Sequence, residues 1–442
     1  MSGGGSRLPE KRSAGGPGAW DTEFLRDLDR AHSWHPFTQM RDWCAGDPLV
    51  LVGGEGAVLR DSEGREYLDG NSSIWTNIHG HRHPAITRAI REQLDRVAHV
   101  SFLGTTNAPA SLLAARLAGF FPPGALPRVF FSDDGSTAIE AAMKMAARFW
   151  ELVGSPRRTR FVAFDHAYHG DTAGAASLGG IGAFHAGHRF PVERISDPDG
   201  LDRLPSDEIA AVVIEPLIQG AAGMRVWPSG MLRRLREKCD TAGALLILDE
   251  VLTGFGRTGK MFACQHEDVV PDFLCLAKGL SGGYLPLAAT LTTESIFSAF
   301  LGEFSEQKTF YYGHSFTGNP LGCAAALASL DVFRDEAVLE NLQPKIAEMR
   351  RLLDGLRDIP WVFEIRQCGF MAGIEIRRPD GSPFAWQERT GGRICEAARA
   401  HGLLTRPVLD TLVLMPPLCT TFGQLEHAVA ALRSAILETL PG

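Results

Sequence analysis

The sequence predicts an α/β fold, a large, mostly parallel-sheet domain with a smaller α+β domain beside it. Three observations carry that expectation. Continuous apolar runs, the mark of strands buried on both faces, alternate with helical periodicity through the middle of the chain. Polar residues able to do chemistry stand directly after several of those runs, where open parallel sheets bind ligands. Past about residue 335 the alternation changes to helix, two strands, helix and strand, which describes a different and smaller unit.

The elements follow in order. Residues 1–20 hold six glycines and two prolines with few large apolar side chains, the composition of a flexible tail. Residues 21–75 are read as the N-terminal part of the smaller domain, with two short strands inside 56–69 joined by a turn at 61–64. Residues 76–330 are read as the large domain. Helices are expected over 83–97 and 108–118, a strand at 128–131, and a helix starting near Ser136. Strands follow at 161–164 and 210–216, a helix at 231–242, strands at 244–249, 273–277 and 287–292, and a long helix over 318–336. Residues 331–442 complete the smaller domain, with helices over 341–356 and 386–401 and strands at 361–366, 370–376 and 411–415.

Composition excludes several classes of function. The 442 residues carry a net charge of −8, with 45% hydrophobic and 22% charged residues, which is ordinary globular chemistry. Nucleic-acid binding is not expected, because the basic residues are scattered and the densest stretch, Arg157-Arg158-Thr159-Arg160, reads as a solvated turn. No membrane role is expected, since no apolar run approaches the roughly 20 residues that span a bilayer, and the N-terminus lacks the apolar core of a secretory signal. Eight dispersed cysteines without a CxxC suit a reduced, cytoplasmic protein in which they are small buried hydrophobes.

The candidate chemistry sits at strand ends. Asp249 closes one apolar run, Glu215 another, and Lys278 follows a third. An isolated lysine there can simply snorkel to solvent. If it is instead used, desolvation favours the neutral amine that forms a Schiff base. Gly135-Ser136-Thr137 opens a helix after a strand, where free N–H groups and the helix dipole suit a phosphate; an ordinary serine cap is the plainer account. Three lookalikes are set aside. Gly254 to Met261 nearly matches a nucleotide phosphate loop, but Met261 replaces the hydroxyl residue that holds magnesium. Gly180-Ile181-Gly182 lacks the third glycine of a dinucleotide loop. His79, His81 and His83 alternate as metal ligands might, but Arg82 within them and Pro84 after them favour a loop, and no metal is expected.

Taken together, Gly135-Ser136, Tyr168-His169-Gly170-Asp171, Ile214-Glu215-Pro216, Asp249-Glu250-Val251, Thr253-Gly254-Phe255-Gly256-Arg257-Thr258-Gly259, Lys278-Gly279 and Gly318-Asn319-Pro320 resemble the class III aminotransferases. These are pyridoxal 5'-phosphate enzymes of fold type I, and the likeness runs over about residues 31–436. It implies that Lys278 carries the cofactor and moves the proton, that Asp249 pairs with its ring nitrogen, and that Gly135 and Ser136 hold its phosphate. Tyr168 would lie over the ring face. Gly313, His314 and Ser315 match the segment that, in this family, reaches the partner subunit's phosphate and substrate, so a homodimer with shared active sites is implied. Arg406 matches the arginine that binds the substrate carboxylate, and Trp75 lies on the substrate side.

Trp34 to Met40, Gly70 to Trp75, Asn77 to Gly80 and Met415-Pro416-Pro417 narrow the resemblance to the biotin-pathway branch of the family. Its small-molecule amino donor is usually S-adenosylmethionine and its keto acceptor is 8-amino-7-oxononanoate. Two positions depart from that pattern: Phe37 stands where tyrosine is frequent, and Ile74-Trp75 where Trp-Trp is frequent. Many ω-aminotransferases also carry a glutamate that neutralises the carboxylate arginine, and here the matching place within Gln219 to Gly223 is alanine. Lysine as donor, a general ω-aminotransferase, and a catalytically silent cofactor-binding protein remain as alternatives. Rescue of a biotin-requiring strain separates amino transfer to 8-amino-7-oxononanoate from a general ω-aminotransferase, and bleaching of a bound-cofactor band by amines excludes the third.

Overall fold

The computed structural model describes residues 20–182 and 191–440. Its largest sheet has seven strands, in the spatial order Arg128–Ser132, Ala288–Thr292, Phe273–Leu276, Leu245–Asp249, Ile209–Ile214, Arg160–Phe164 and Glu193–Ile195. Neighbours are parallel except around Ala288–Thr292, which is antiparallel to both of its partners. Every residue of Ile209–Ile214 and Leu245–Asp249 is buried. The two-residue repeat of a strand divides them between two cores. Val212, Ile214, Leu246 and Leu248 join Leu113, Leu232 and Leu235 on one face. Ala211, Val213, Leu245 and Ile247 meet Ala138, Ala141, Ala142 and Ala146 of the helix Gly135–Leu152 on the other.

Near the N-terminus, Leu51–Glu55, Val58–Asp61 and Glu66–Asp69 form an antiparallel meander. Leu403–Leu404 adds to its edge, parallel to Glu66–Asp69, so segments more than 300 residues apart share one sheet. A further antiparallel sheet joins Val362–Cys368, Met371–Ile376, Thr411–Leu414 and Pro407–Val408. Leu342, Met349 and Leu353 of Val338–Asp354 and Leu425 and Leu432 of Phe422–Thr439 lie in the same core as Ile374 and Leu412.

Some details differ from the sequence expectation. The helix expected over 386–401 is a 3₁₀ turn, Trp386–Glu388, followed by Thr390–Ala400, because Arg389 between them is left-handed at φ 49°. The helices Thr22–His32, Met40–Ala45 and Phe422–Thr439 were not anticipated. The last has a readable start, a capping box between Thr421 and Gln424. The basic stretch at 157–160 is not merely solvated: Arg158 lies 4.5 Å from the Trp150 ring centroid and donates to Ile209 O and Ala242 O. The tail expectation falls outside the described residues except at Trp20, which is exposed.

The lookalike motifs have local explanations. Lys260 Nζ donates to Gln265 O at 2.8 Å, and Arg257 is fully buried. His79 pairs with Ser329, His81 with Asp69 and His83 with Glu336. Among the described residues no group of His, Cys, Asp and Glu is arranged to hold a metal, and no helix is long and apolar enough to cross a membrane. The eight cysteines are free thiols, and Cys44 and Cys419 are exposed.

Candidate active site

Four strand ends open into one cleft of about 1950 Å³. It is lined by Trp75, Gly135, Ser136, Tyr168, Asp249, Lys278 and Arg406, so these candidates come together in space. Gly313, His314 and Ser315 do not line the cleft of their own chain. His314 bridges instead, with Nδ1 2.9 Å from Asp133 Oδ2 and Nε2 3.0 Å from the Tyr312 hydroxyl.

Lys278 starts a 3₁₀ turn, Lys278–Ser281, just past the buried strand Phe273–Leu276, and itself has a left-handed φ of 41°. Its Nζ stands 5.0 Å from the Trp75 ring centroid and makes no ion pair with any described residue. Burial pushes its ammonium below the ordinary lysine value, while Asp249 and Glu215 act in the opposite direction. The net effect enlarges the fraction of neutral, nucleophilic amine.

Asp249 is buried and accepts from two sides: Oδ1 takes the Val251 N–H at 3.1 Å, and Oδ2 lies 2.7 Å from His169 Nδ1. His169 Nε2 is buried with no partner among the described residues. His169 carries no role readable from the sequence; here it orients the carboxylate. The role of Glu215 is likewise visible only in the fold. Its two oxygens accept the N–H groups of Tyr168 at 3.1 Å and Gly220 at 3.0 Å, fixing two cleft segments, and burial pushes its carboxyl up to about 7.

The start of Gly135–Leu152 is open toward the cleft. Asp134 caps the helix by accepting the Thr137 N–H at 2.9 Å, and the N–H groups of Gly135 and Ser136 have no acceptor among the described residues. Ser136 Oγ accepts the Asp171 N–H at 3.1 Å. Glycines keep this cradle tight. A Cβ on Gly135 would lie 2.6 Å from Val251 Cγ1, and one on Gly170, where φ is 119°, would press on the Ser136 hydroxyl. The Tyr168 hydroxyl donates to Asp171 Oδ2 at 2.6 Å, which anchors the ring at the cleft.

This donor set fits a phosphorylated aromatic aldehyde. A phosphate would meet the free helix N–H groups, a ring nitrogen the buried carboxylate, and a carbonyl the amine of Lys278. Across the cleft Arg406 is exposed and makes no ion pair or hydrogen bond with any described residue, and Ala221 and Ala222 line the same space.

Known proteins are similar to this chain in sequence and fold. The adenosylmethionine-8-amino-7-oxononanoate aminotransferase of Nitratidesulfovibrio vulgaris is 50% identical, over 94% of this chain and 82% of that protein. The protein of the same name from Geobacter sulfurreducens is 47% identical, over 94% of this chain and 98% of its own. The crystal structure of the adenosylmethionine-8-amino-7-oxononanoate aminotransferase of Methanocaldococcus jannaschii superposes with a TM-score of 0.91 at 41% identity, covering 95% of this chain and 99% of that one. An (S)-enantioselective omega-transaminase from Thermomicrobium roseum follows at 0.90 and 33% identity, covering 96% and 99%. The family Aminotransferase class-III matches residues 44–436. With a strand-end lysine, a buried carboxylate and an open helix terminus in one cleft, and with that match across most of its length, the chain belongs to the class III aminotransferases.

Proposed function

We propose that this aminotransferase converts 8-amino-7-oxononanoate to 7,8-diaminononanoate in biotin biosynthesis, with S-adenosylmethionine as amino donor and pyridoxal 5'-phosphate as cofactor. The observation that carries the acceptor is Arg406, an unpaired cation in the cleft with alanines, not an acid, at 221 and 222. A permanently open guanidinium suits an acceptor that always brings a carboxylate. The named relatives support the same acceptor.

When bound, pyridoxal 5'-phosphate supplies an electron sink for the carbanion formed at the substrate carbon. The protein's groups do the rest. Gly135, Ser136 and the helix N-terminus would hold the phosphate, and Tyr168 would wall the ring. Asp249, oriented by His169, would keep the ring nitrogen protonated. Lys278 Nζ would hold the cofactor between turnovers and carry a proton from the amine-bearing carbon of the substrate. Arg406 orients the acceptor, and Trp75 walls the space around the reacting amine. Gly313, His314 and Ser315 serve the partner subunit's site in a homodimer.

A second donor, lysine, is favoured by Ile74. This cleft residue offers no aromatic face to a sulfonium or an adenine. The test is purified enzyme with 8-amino-7-oxononanoate and a panel of donors, with 7,8-diaminononanoate read by mass. Product with S-adenosylmethionine is expected. Product with lysine alone reverses the donor. Turnover of simple diamines without product from 8-amino-7-oxononanoate removes the acceptor and leaves a general ω-aminotransferase.

A further inference from the structure

One turn beside the amine site departs from ordinary L-residue backbone. Ser72, Ser73, Ile74 and Trp75 have φ of 47°, 50°, 62° and 70°, with ψ of 53° and 52° at the middle two. The Trp75 N–H donates to Asn71 O at 2.8 Å and the Thr76 N–H to Ser72 O at 2.9 Å. This is a single turn of left-handed helix. Glycine adopts such backbone freely, asparagine and aspartate tolerate it, and a β-branched residue such as isoleucine tolerates it least. None of the tolerant types occurs in the four positions. A conformation of this kind persists where its surroundings over-determine it.

The fastening centres on Asp69, which is 1% exposed. Its Oδ1 accepts the Ser73 N–H at 3.0 Å and its Oδ2 the Ser73 hydroxyl at 2.9 Å. The Ser72 hydroxyl donates to Met415 O at 2.6 Å, and the Trp75 indole N–H to Asn71 Oδ1 at 2.8 Å. Asp69 Oδ2 also lies 3.0 Å from His81 Nε2. Asn77 sets that histidine: its Oδ1 accepts the Gly80 N–H, so its Nδ2 donates to His81 Nδ1 at 3.0 Å and leaves the ring proton on Nε2, aimed at Asp69. Asn77 and Ile78 in turn support the loop after Lys278. A Cβ on Gly283 would lie 2.7 Å from Asn77 Cα, and one on Gly279 3.0 Å from Ile78 Cδ1. One arm of Asp69 therefore ends at the ring facing Lys278, and the other beneath the loop that carries Lys278.

We propose that Asp69 is a positioning residue of the reaction: it latches a left-handed turn that its own side chains disfavour, so that the Trp75 ring stays opposed to the Lys278 amine. The proposal rests on Lys278 being the reacting amine. The ring face attracts the ammonium form and bounds the space in which Nζ moves. With the latch open, the turn relaxes toward right-handed or extended backbone and the ring leaves its place.

The test pairs Asp69→Asn with Asp69→Asn/Ser73→Gly in the holoenzyme. Asparagine sets an N–H₂ against one of the donors, so the latch opens. The kcat should fall at least about tenfold, with acceptor KM within about twofold, because misplacement by an ångström is costly to orientation. Glycine at 73 accepts left-handed backbone unaided, so the double variant should recover to within about threefold of wild type. A second readout is the pH midpoint for cofactor capture by apo-protein, which follows the Lys278 amine. It should move down in Asp69→Asn, as the ring no longer favours the ammonium, and return in the double variant. Ser73→Ala, at an exposed site, removes the hydroxyl arm alone and should lower kcat a few-fold. Wild-type values for Asp69→Asn in both readouts, or no recovery of either on adding Ser73→Gly, overturns the proposal. If Asp69→Asn does not fold, Ser73→Ala decides, and wild-type kcat and midpoint in that variant overturn it equally. Capture uses neither donor nor acceptor, so an error in the assigned acceptor leaves the test intact. An unchanged capture midpoint in Lys278→Ala would instead overturn the role of the lysine.

Discussion

The floor of the cleft and its wall are built differently. The floor consists of Asp249, Glu215, Lys278 and the start of Gly135–Leu152, each at the end of a strand locked in the central sheet. Its carboxylates are buried and hydrogen-bonded. The wall consists of Phe37, the turn at Ser72–Trp75 and the stretch from Arg406 to Asp410. Phe37, Ile74 and Leu409 are 58%, 45% and 53% exposed and have left-handed φ of 52°, 62° and 53°. The Ser72–Trp75 turn is fastened by Asp69 and by Met415, far along the chain, and Leu409 lies in the two-residue turn between Pro407–Val408 and Thr411–Leu414. On the proposed function the contrast separates two tasks: the groups assigned the bond-making sit on the rigid sheet, and those assigned the variable parts of substrates sit where sequence can change without disturbing it.

Breaking the floor should cost most. Lys278→Ala removes both the proposed cofactor anchor and the proposed proton carrier, and turnover should fall by more than about 10³-fold, the range of acid–base catalysis alone. The thermal midpoint of the apo-protein should hold, because Nζ gives up no ion pair and a desolvated charge disappears. Steady-state rates with thermal melts check this, and near-wild-type turnover would remove the lysine from its role.

Breaking the wall at Arg406 should cost less and fall on binding. Arg406→Ala should raise acceptor KM by more than about tenfold, since a charge-assisted contact to a carboxylate contributes about 1.5–3 kcal/mol. The methyl ester of the acceptor should be similarly poor with the unmodified enzyme. Equal turnover of acid and ester would detach Arg406 from the carboxylate.

The floor also makes a signed prediction in pH. Capture of the cofactor by apo-protein needs the neutral amine, so it should rise with pH through a midpoint below the ordinary lysine value of 10.5. Asp249 is the largest of the carboxylate influences that hold the ammonium up. Asp249→Asn should therefore move the midpoint further down. An upward move would mean that the Asp249 charge is not felt at Nζ.

The same division decides what the sequence made legible. Asp249, Glu215 and Lys278 could be placed from apolar runs that end in a charge, because strand ends in a parallel sheet have one destination. Gly135 and Ser136 could be placed because a glycine and a serine after a strand signal a helix start. The wall gave no such signal. Ser72-Ser73-Ile74-Trp75 contains neither glycine nor asparagine, and its left-handed turn is imposed by Asp69 and Met415, the latter 343 residues away from Ser72. His169 was missed as an orienting group because its link to Asp249 spans 80 residues and two strands. The sheet that joins Glu66–Asp69 to Leu403–Leu404 was equally unreadable, since two-residue strands carry no periodicity.

The smallest expected effect sharpens the comparison most, because it changes the wall and leaves the floor alone. S-adenosylmethionine carries a sulfonium and an adenine, and both gain from an aromatic face. Trp75 supplies one ring, while its neighbour Ile74 supplies none and is 45% exposed at the cleft. Ile74→Trp adds a second ring at a site with room for it. The backbone should accept the change, since Trp75 already holds an indole at φ 70° and tryptophan lacks the β-branch that makes isoleucine the poorer choice there. A partly exposed cation–aromatic contact contributes about 0.5–1 kcal/mol, or about two- to fivefold in KM for S-adenosylmethionine. Lysine gains nothing from an adenine platform, so its use should stay flat or worsen as the added ring narrows the cleft. Purified wild-type and variant enzyme, assayed with each donor at matched acceptor concentration, give the ratio directly. A fall in S-adenosylmethionine use with a rise in lysine use would show that Ile74 does not face the donor, and would return donor choice to Phe37 and the rest of the wall.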